Sequence, residues 1–130
     1  MACSNYSNEG TCSSWSPASN ITLDQGVYVI DAGWLDGLLA TPAPTWTCDS
    51  GYLDDLEGGK FVVANTSSGE LLYELGLRNG DILYTINGIT LDTVADGYDV
   101  YNEYRDGEDH FDLYLERDES FVTLCYSIEE

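Results

Sequence analysis

Apolar positions in this chain fall into short runs separated by glycine, asparagine and aspartate, a pattern that predicts a β-rich domain with a few helices. Gly26 to Ile30 predicts a strand. Asp31 then caps a helix reaching Ala40, with Trp34, Leu35, Leu38 and Leu39 on one face. Thr41-Pro42-Ala43-Pro44 ends that helix, because proline lacks an N–H donor and turns the residue before it away from helix. Residues 45 to 60 carry no period, and Trp46, Cys48, Tyr52, Leu53 and Leu56 are their expected inward anchors. Gly58-Gly59 reads as a turn and Lys60 to Asn65 as a strand. Leu71, Leu72 and Leu75 form a brief helical stripe that Gly76 stops. Asn79-Gly80-Asp81 makes a turn, Ile82 to Ile86 a dense strand, and Asn87-Gly88 a hairpin into Ile89-Thr90-Leu91. A second helix is expected from about Asp92 to Arg105, where Val94, Tyr98, Tyr101 and Tyr104 recur at three- to four-residue spacing. Two alternating strands close the chain: Phe111, Leu113 and Leu115 share one face, then Val122, Leu124, Tyr126 and Ile128, across an Asp118-Glu119-Ser120 turn.

Composition narrows the class. The 130 residues, 43% apolar, suit one domain, read as residues 26–130 behind a Ser/Asn-rich appendage at 1–25. No apolar run is long enough to span a membrane, and no basic start leads into an apolar stretch. Met1-Ala2 ahead of Cys3 reads as a cloning start on a fragment of a larger exported or inner-membrane-anchored protein. Twenty-four acids against four bases give a net charge of −20, which repels phosphate backbones and anionic lipid and so argues against nucleic-acid binding and membrane insertion. The acids are scattered through the chain, which fits a saline habitat better than one dedicated site.

Candidate chemistry is sparse. Cysteines 3, 12, 48 and 125 include no Cys-x-x-Cys, and His110 is the sole histidine, so no metal site or cofactor is expected. Scattered cysteines in an acidic, lysine-poor chain point to disulfides and a periplasmic or extracellular compartment. Of the three possible pairings, Cys3–Cys12 with Cys48–Cys125 is favoured. No serine stands in a nucleophile motif, and His110 reads as an exposed strand residue, so no enzymatic activity is expected. Asp54, Asp55 and Glu57, like Asp106, Glu108, Asp109 and Asp112, lack the ligand order of an EF-hand and read as solvated loops.

The run Leu75-Gly76-Leu77-Arg78-Asn79-Gly80-Asp81-Ile82-Leu83, followed by Ile86-Asn87-Gly88, resembles the Gly-Leu-x-x-Gly-Asp and Ile-Asn-Gly pattern of PDZ domains. The order of parts is similar to the bacterial, circularly permuted PDZ arrangement. With Trp34 to Pro42, the helix ending at Arg105 and Leu115-Glu116-Arg117, the chain is most similar to the periplasmic PDZ domain of type II secretion system protein C, over about residues 27–128. It departs from that family in its cysteines, in its acidity, and at Cys48 to Leu53, where an Arg-x-x-Pro segment is usual. The resemblance implies an α+β fold: a partly open barrel or sandwich of five to six strands capped by two helices.

It also implies a non-catalytic module that binds a peptide or partner protein by strand addition, such as a secretin or secreted substrate. The expected edge is Phe61, Val62, Val63, Ala64 and Asn65, walled by Val94, Tyr98 and Tyr101. Leu56, Gly58, Gly59 and Lys60 are the loop expected to receive a terminus, although the surrounding acids favour a basic or internal segment. Two alternatives are a regulatory PDZ domain of a periplasmic Deg/HtrA-type protease and a disulfide-stapled assembly domain whose groove is blocked. Whether the 61–65 edge is open separates the last from the others.

Overall fold

The computed structural model describes residues 15–41, 44–55 and 59–130. Within them the chain runs α1 (Pro17–Asn20), β1 (Ile21–Asp24), β2 (Val27–Asp31), α2 (Ala32–Ala40), α3 (Pro44–Thr47), β3 (Tyr52–Asp55), β4 (Phe61–Ala64), α4 (Leu71–Glu74), β5 (Ile82–Ile86), β6 (Ile89–Thr90), α5 (Val94–Arg105), β7 (His110–Arg117) and β8 (Ser120–Glu129). The class is α+β, and the sheet is open. Its order is β1-β2-β8-β7-β5-β4-β3, with β6 paired to β5. Eight strands replace the five to six expected.

Local chemistry accounts for the ends of several elements. Asp31 accepts a hydrogen bond from Trp34 N at 2.8 Å and caps α2 as expected. α5 is capped by Thr93: Asp96 Oδ2 accepts from the Asp92 and Thr93 amides, each at 2.8 Å, which holds its carboxyl below the usual range. The β5–β6 turn is made by Asn87 (φ 49) and Gly88 (φ 81), the left-handed pair that suits a tight hairpin. Among the described residues, no helix is long and apolar enough to cross a membrane.

Two strands were not expected. β1 lies inside the Ser/Asn-rich stretch, ahead of the boundary at 25/26, and Ile21 is buried against Ile30 of β2. β3 lies in the segment read as irregular. Its residues are all exposed, so Tyr52 and Leu53 are surface side chains and not inward anchors. The core is Ile21, Ile30, Val63, Leu77 and Leu83 with the inward residues of β7 and β8: Phe111, Leu113, Leu115, Leu124, Tyr126 and Ile128. Burying it is the main stabilising term, at roughly 25 cal/mol per Å² of apolar surface.

Asp81 joins the strands to the turn before them. Its carboxylate, 1% exposed, accepts from Arg117 Nε at 2.9 Å and from a terminal guanidinium nitrogen of Arg117 at 2.7 Å. It also accepts from Arg78 N at 2.8 Å. Arg117 donates as well to the Gly76 carbonyl at 2.8 Å. One ion pair thus fixes the Gly76–Asp81 turn to the end of β7.

The Cys48–Cys125 bridge is not formed. Cys125 is a free thiol in the middle of β8, flanked by Val27 of β2 and Asp112 of β7, and it alternates with the buried Leu124 and Tyr126. Cys48 follows α3, beside the loop tied to α4. Cys3 and Cys12 lie outside the described residues.

Candidate functional site

A strand can accept another only along an unpaired side. β4, the expected edge, has none: Phe61 and Val62 pair with Leu83 and Ile82 of β5, and Phe61 to Ala64 pair with Asp55 to Tyr52 of β3. Val63 is 1% exposed. The expected groove at Phe61–Asn65 is therefore occupied by the chain itself, through residues 52–55. The cause lies in the side chains, since Phe-Val-Val-Ala suits a strand buried between neighbours, whereas Tyr-Leu-Asp-Asp suits a rim.

The other expected site residues are dispersed. Leu56 and Gly58 fall outside the described residues. Gly59 has φ +92, with its open side toward Asp92. Lys60 bonds Asp92 at 2.9 Å and sits 5.2 Å from the Tyr84 ring centroid, so its charge is committed. Asn65 (φ 58) donates to the Ser50 carbonyl at 3.1 Å. Val94 opens α5, Tyr98 is 67% exposed, and Tyr101 is partly exposed beneath the Arg105 guanidinium.

The described sheet ends instead at β3, and the loop feeding that strand is held firmly. Asp49 accepts from Leu71 N at 2.7 Å, Trp15 Nε1 at 3.1 Å and Gly51 N at 3.0 Å. Ser50 donates its amide to Glu70 Oε2 at 2.9 Å, and its hydroxyl reaches the same oxygen. These bonds, the Ser50 hydroxyl first, lower the Glu70 carboxyl below its ordinary value. Gly51 lies so close to Thr66 that a Cβ there would stand 2.9 Å from Thr66 Cβ. The edge strand therefore leaves a rigid loop with Tyr52 and Leu53 exposed and two carboxylates, Asp54 and Asp55, behind them.

Two further features escaped sequence reasoning. Tyr114 and Phe121 stack on the outer face at 5.0 Å and 7° between planes, with Tyr84 edge-on at 5.3 Å from Phe121. Their alternation with core residues was the available signal. Behind the sheet, α2 and α5 stand apart over an apolar cavity and are bridged by Tyr104, whose hydroxyl donates to Asp36 Oδ1 at 2.6 Å. That bond lifts the Tyr104 phenol to about 12. Glu108, Asp109 and His110 bring one ligand atom each within 4.8 Å, but all are exposed sequence neighbours.

Three phenols give the fold an alkaline limit. Tyr84 is raised by its bond to Glu116, Tyr104 by Asp36 and Tyr126 by burial. Unfolded phenols ionise near pH 10, and a raised folded pKa means that the native state keeps its protons longer. This contribution is complete below about pH 10 and is lost as pH rises through the folded values. Urea midpoints measured from pH 8 to 12 are expected to hold level and then fall above about pH 10, less steeply in Tyr104→Phe.

No protein-family model matches this chain, and no curated protein matches it. Among solved structures it is similar to the PDZ domain of EpsC from Vibrio cholerae. For residues 204-305 of that protein the identity is 16%, over 73% of this chain and 91% of that chain, with a TM-score of 0.49. For residues 219-305 it is 17%, over 61% and 94%, with a TM-score of 0.46. The likeness is to a PDZ domain. The Gly80-Asp81 turn noted in the sequence holds the buried Asp81.

Proposed function

We propose that this chain is a non-catalytic, PDZ-type interaction module of an extracytoplasmic bacterial protein, and that it takes an extended partner segment as an added strand on β3. The observation that carries the proposal is the exposed terminal strand Tyr52–Asp55, delivered by a loop locked to α4. Backbone pairing would supply affinity, and Tyr52 and Leu53 would supply apolar contacts. Asp54, Asp55 and the net charge of −20 favour a basic or neutral segment over an acidic one. Service in type II secretion, with a secretin or secreted substrate as partner, belongs to the same proposal. Its support is the sequence resemblance over the Leu75–Leu83 and Ile86–Gly88 stretches and Leu115-Glu116-Arg117. Periplasmic or extracellular placement is supported by the lysine-poor, acidic composition.

A peptide screen followed by amide-shift titration of the strongest binder tests this. Shifts are expected to concentrate at Gly51 to Asp55. Neighbouring residues of a strand point their N–H groups to opposite sides, so of Leu53→Pro and Asp54→Pro one removes a bond to β4 and the other an outward donor. The outward variant should stay folded and bind at least about tenfold more weakly, about 1.4 kcal/mol. Binding that leaves the amides of residues 51–55 unmoved, or a screen that retains nothing, overturns the proposal.

A further inference from the structure

The cavity behind the sheet has a volume of about 320 Å³ and is walled by apolar side chains, among them Leu35 and Leu39 of α2, Val100 and Tyr104 of α5, and Phe111 and Ile128 of the sheet. Ala32, Trp34 and Leu35 of α2 and Val100 and Tyr104 of α5 pack against the core, but neither helix buries a described residue fully, and between them the apolar wall stays open. Apolar walls of this kind offer water no hydrogen-bond partners, and they lack the dispersion contacts of a filled core. Its volume falls in the range of sites that enclose a small apolar body. It adjoins a wider mouth that shares Leu39, Tyr101, Tyr104 and Ile128, and that mouth carries Asp36, Glu108, Asp109, Glu129 and Glu130 against the single cation Arg105.

From this juxtaposition we propose that the α2–α5 cavity seats a bulky apolar side chain of a partner segment, with an adjacent lysine or arginine held in the acidic mouth. Charge complementarity selects the partner: five carboxylates and one guanidinium leave an excess that a basic residue satisfies and an acidic one does not. The proposal rests on the reading of the chain as an interaction module but not on the β3 edge, no residue of which lines the cavity.

Gly97 supplies the test. It lies in α5 on the cavity wall, and a Cβ built there meets nothing within 4 Å, so Gly97→Leu fills the void from a position where leucine also favours helix. An array of acetylated, amidated octapeptides would carry central Phe-Arg, Leu-Lys, Phe-Glu or Ala-Arg pairs between randomised Gly, Ser and Ala positions. Phe-Arg and Leu-Lys peptides are expected to bind at least tenfold more tightly than the other two, to shift the amides of Leu35, Leu39 and Val100, and to lose at least tenfold on Gly97→Leu. They should still bind the outward-donor proline variant of β3. The paired rim variant Glu129→Gln with Glu130→Gln should narrow the Phe-Arg over Phe-Glu preference while the protein remains folded. Equal or absent retention of the apolar–basic peptides, or undiminished binding to Gly97→Leu, overturns the proposal. Loss on the β3 variant alone supports the edge reading and rejects the cavity.

Discussion

Asp81→Ala is expected to cost about 3 kcal/mol in urea unfolding, the low end of what breaking a buried ion pair does. The carboxylate is 1% exposed and accepts two bonds from the Arg117 guanidinium and one from the Arg78 amide. Alanine leaves that guanidinium without its counter-charge, although Arg117 keeps the Gly76 carbonyl and about a third of its exposure, which limits the loss. The Arg78 amide is orphaned as well. Arg117→Met alone should be costly for the converse reason, since it strands a buried carboxylate. Because both changes break one interaction, the double variant should be clearly less destabilised than the two losses added together. A cost below about 1 kcal/mol for Asp81→Ala would show that the pair does not hold this turn.

Gly76→Ala is the second large effect, expected at about 2–5 kcal/mol. At φ +89 an alanine pays roughly 1–2 kcal/mol for the left-handed backbone. Its Cβ would also stand 2.5 Å from Tyr28 Cζ. The tyrosine cannot simply swing away, because its ring lies 5.7 Å from that of Tyr126, whose hydroxyl is bonded to the Leu75 carbonyl. Overpacking of this kind adds about 1–3 kcal/mol. Gly80→Ala is the matched control: its φ is +94, but nothing lies within 4 Å of the added Cβ. Thermal or urea melts should therefore place Gly76→Ala below Gly80→Ala by the clash alone; equal losses would mean that Tyr28 yields freely.

Legibility followed the kind of signal each element carries. Turns announced themselves, because Asn87-Gly88 and Gly76 require backbone conformations that few other residues accept, and the Asp31 cap is a one-residue chemical statement. The strands of the closing hairpin were visible because their apolar residues alternate over eight or more positions, with Phe111, Leu113 and Leu115 of β7 and Leu124, Tyr126 and Ile128 of β8 buried. β1 and β3 were not visible: four residues are too few to show a period, and all four of β3 face water. The β1–β2 turn also uses Gln25 at φ 52, where glutamine gives no warning of a left-handed residue.

The strand expected to be an edge proved to be an inner one for a related reason. A run such as Phe61-Val62-Val63-Ala64 attracts the eye as a strand, but continuous apolarity is what a strand paired on both sides needs. The rim was written next door, in Asp54 and Asp55. On α5, Tyr98 and Tyr101 suggested one wall, yet the face that lines the cavity is Gly97, Val100, Tyr101 and Tyr104, and the glycine hid that face from a reading based on large side chains.

The carboxylates at the end of β3 bear on how this molecule meets its own copies. A bare strand end is an invitation to pair like with like, and two identical chains approaching side by side would each bring Asp54 and Asp55 to the seam. Four negative charges would then converge where no lysine or arginine of β3 can answer them. A foreign segment with neutral or positive residues meets no such barrier. The same short strand thus disfavours pairing with its own copy.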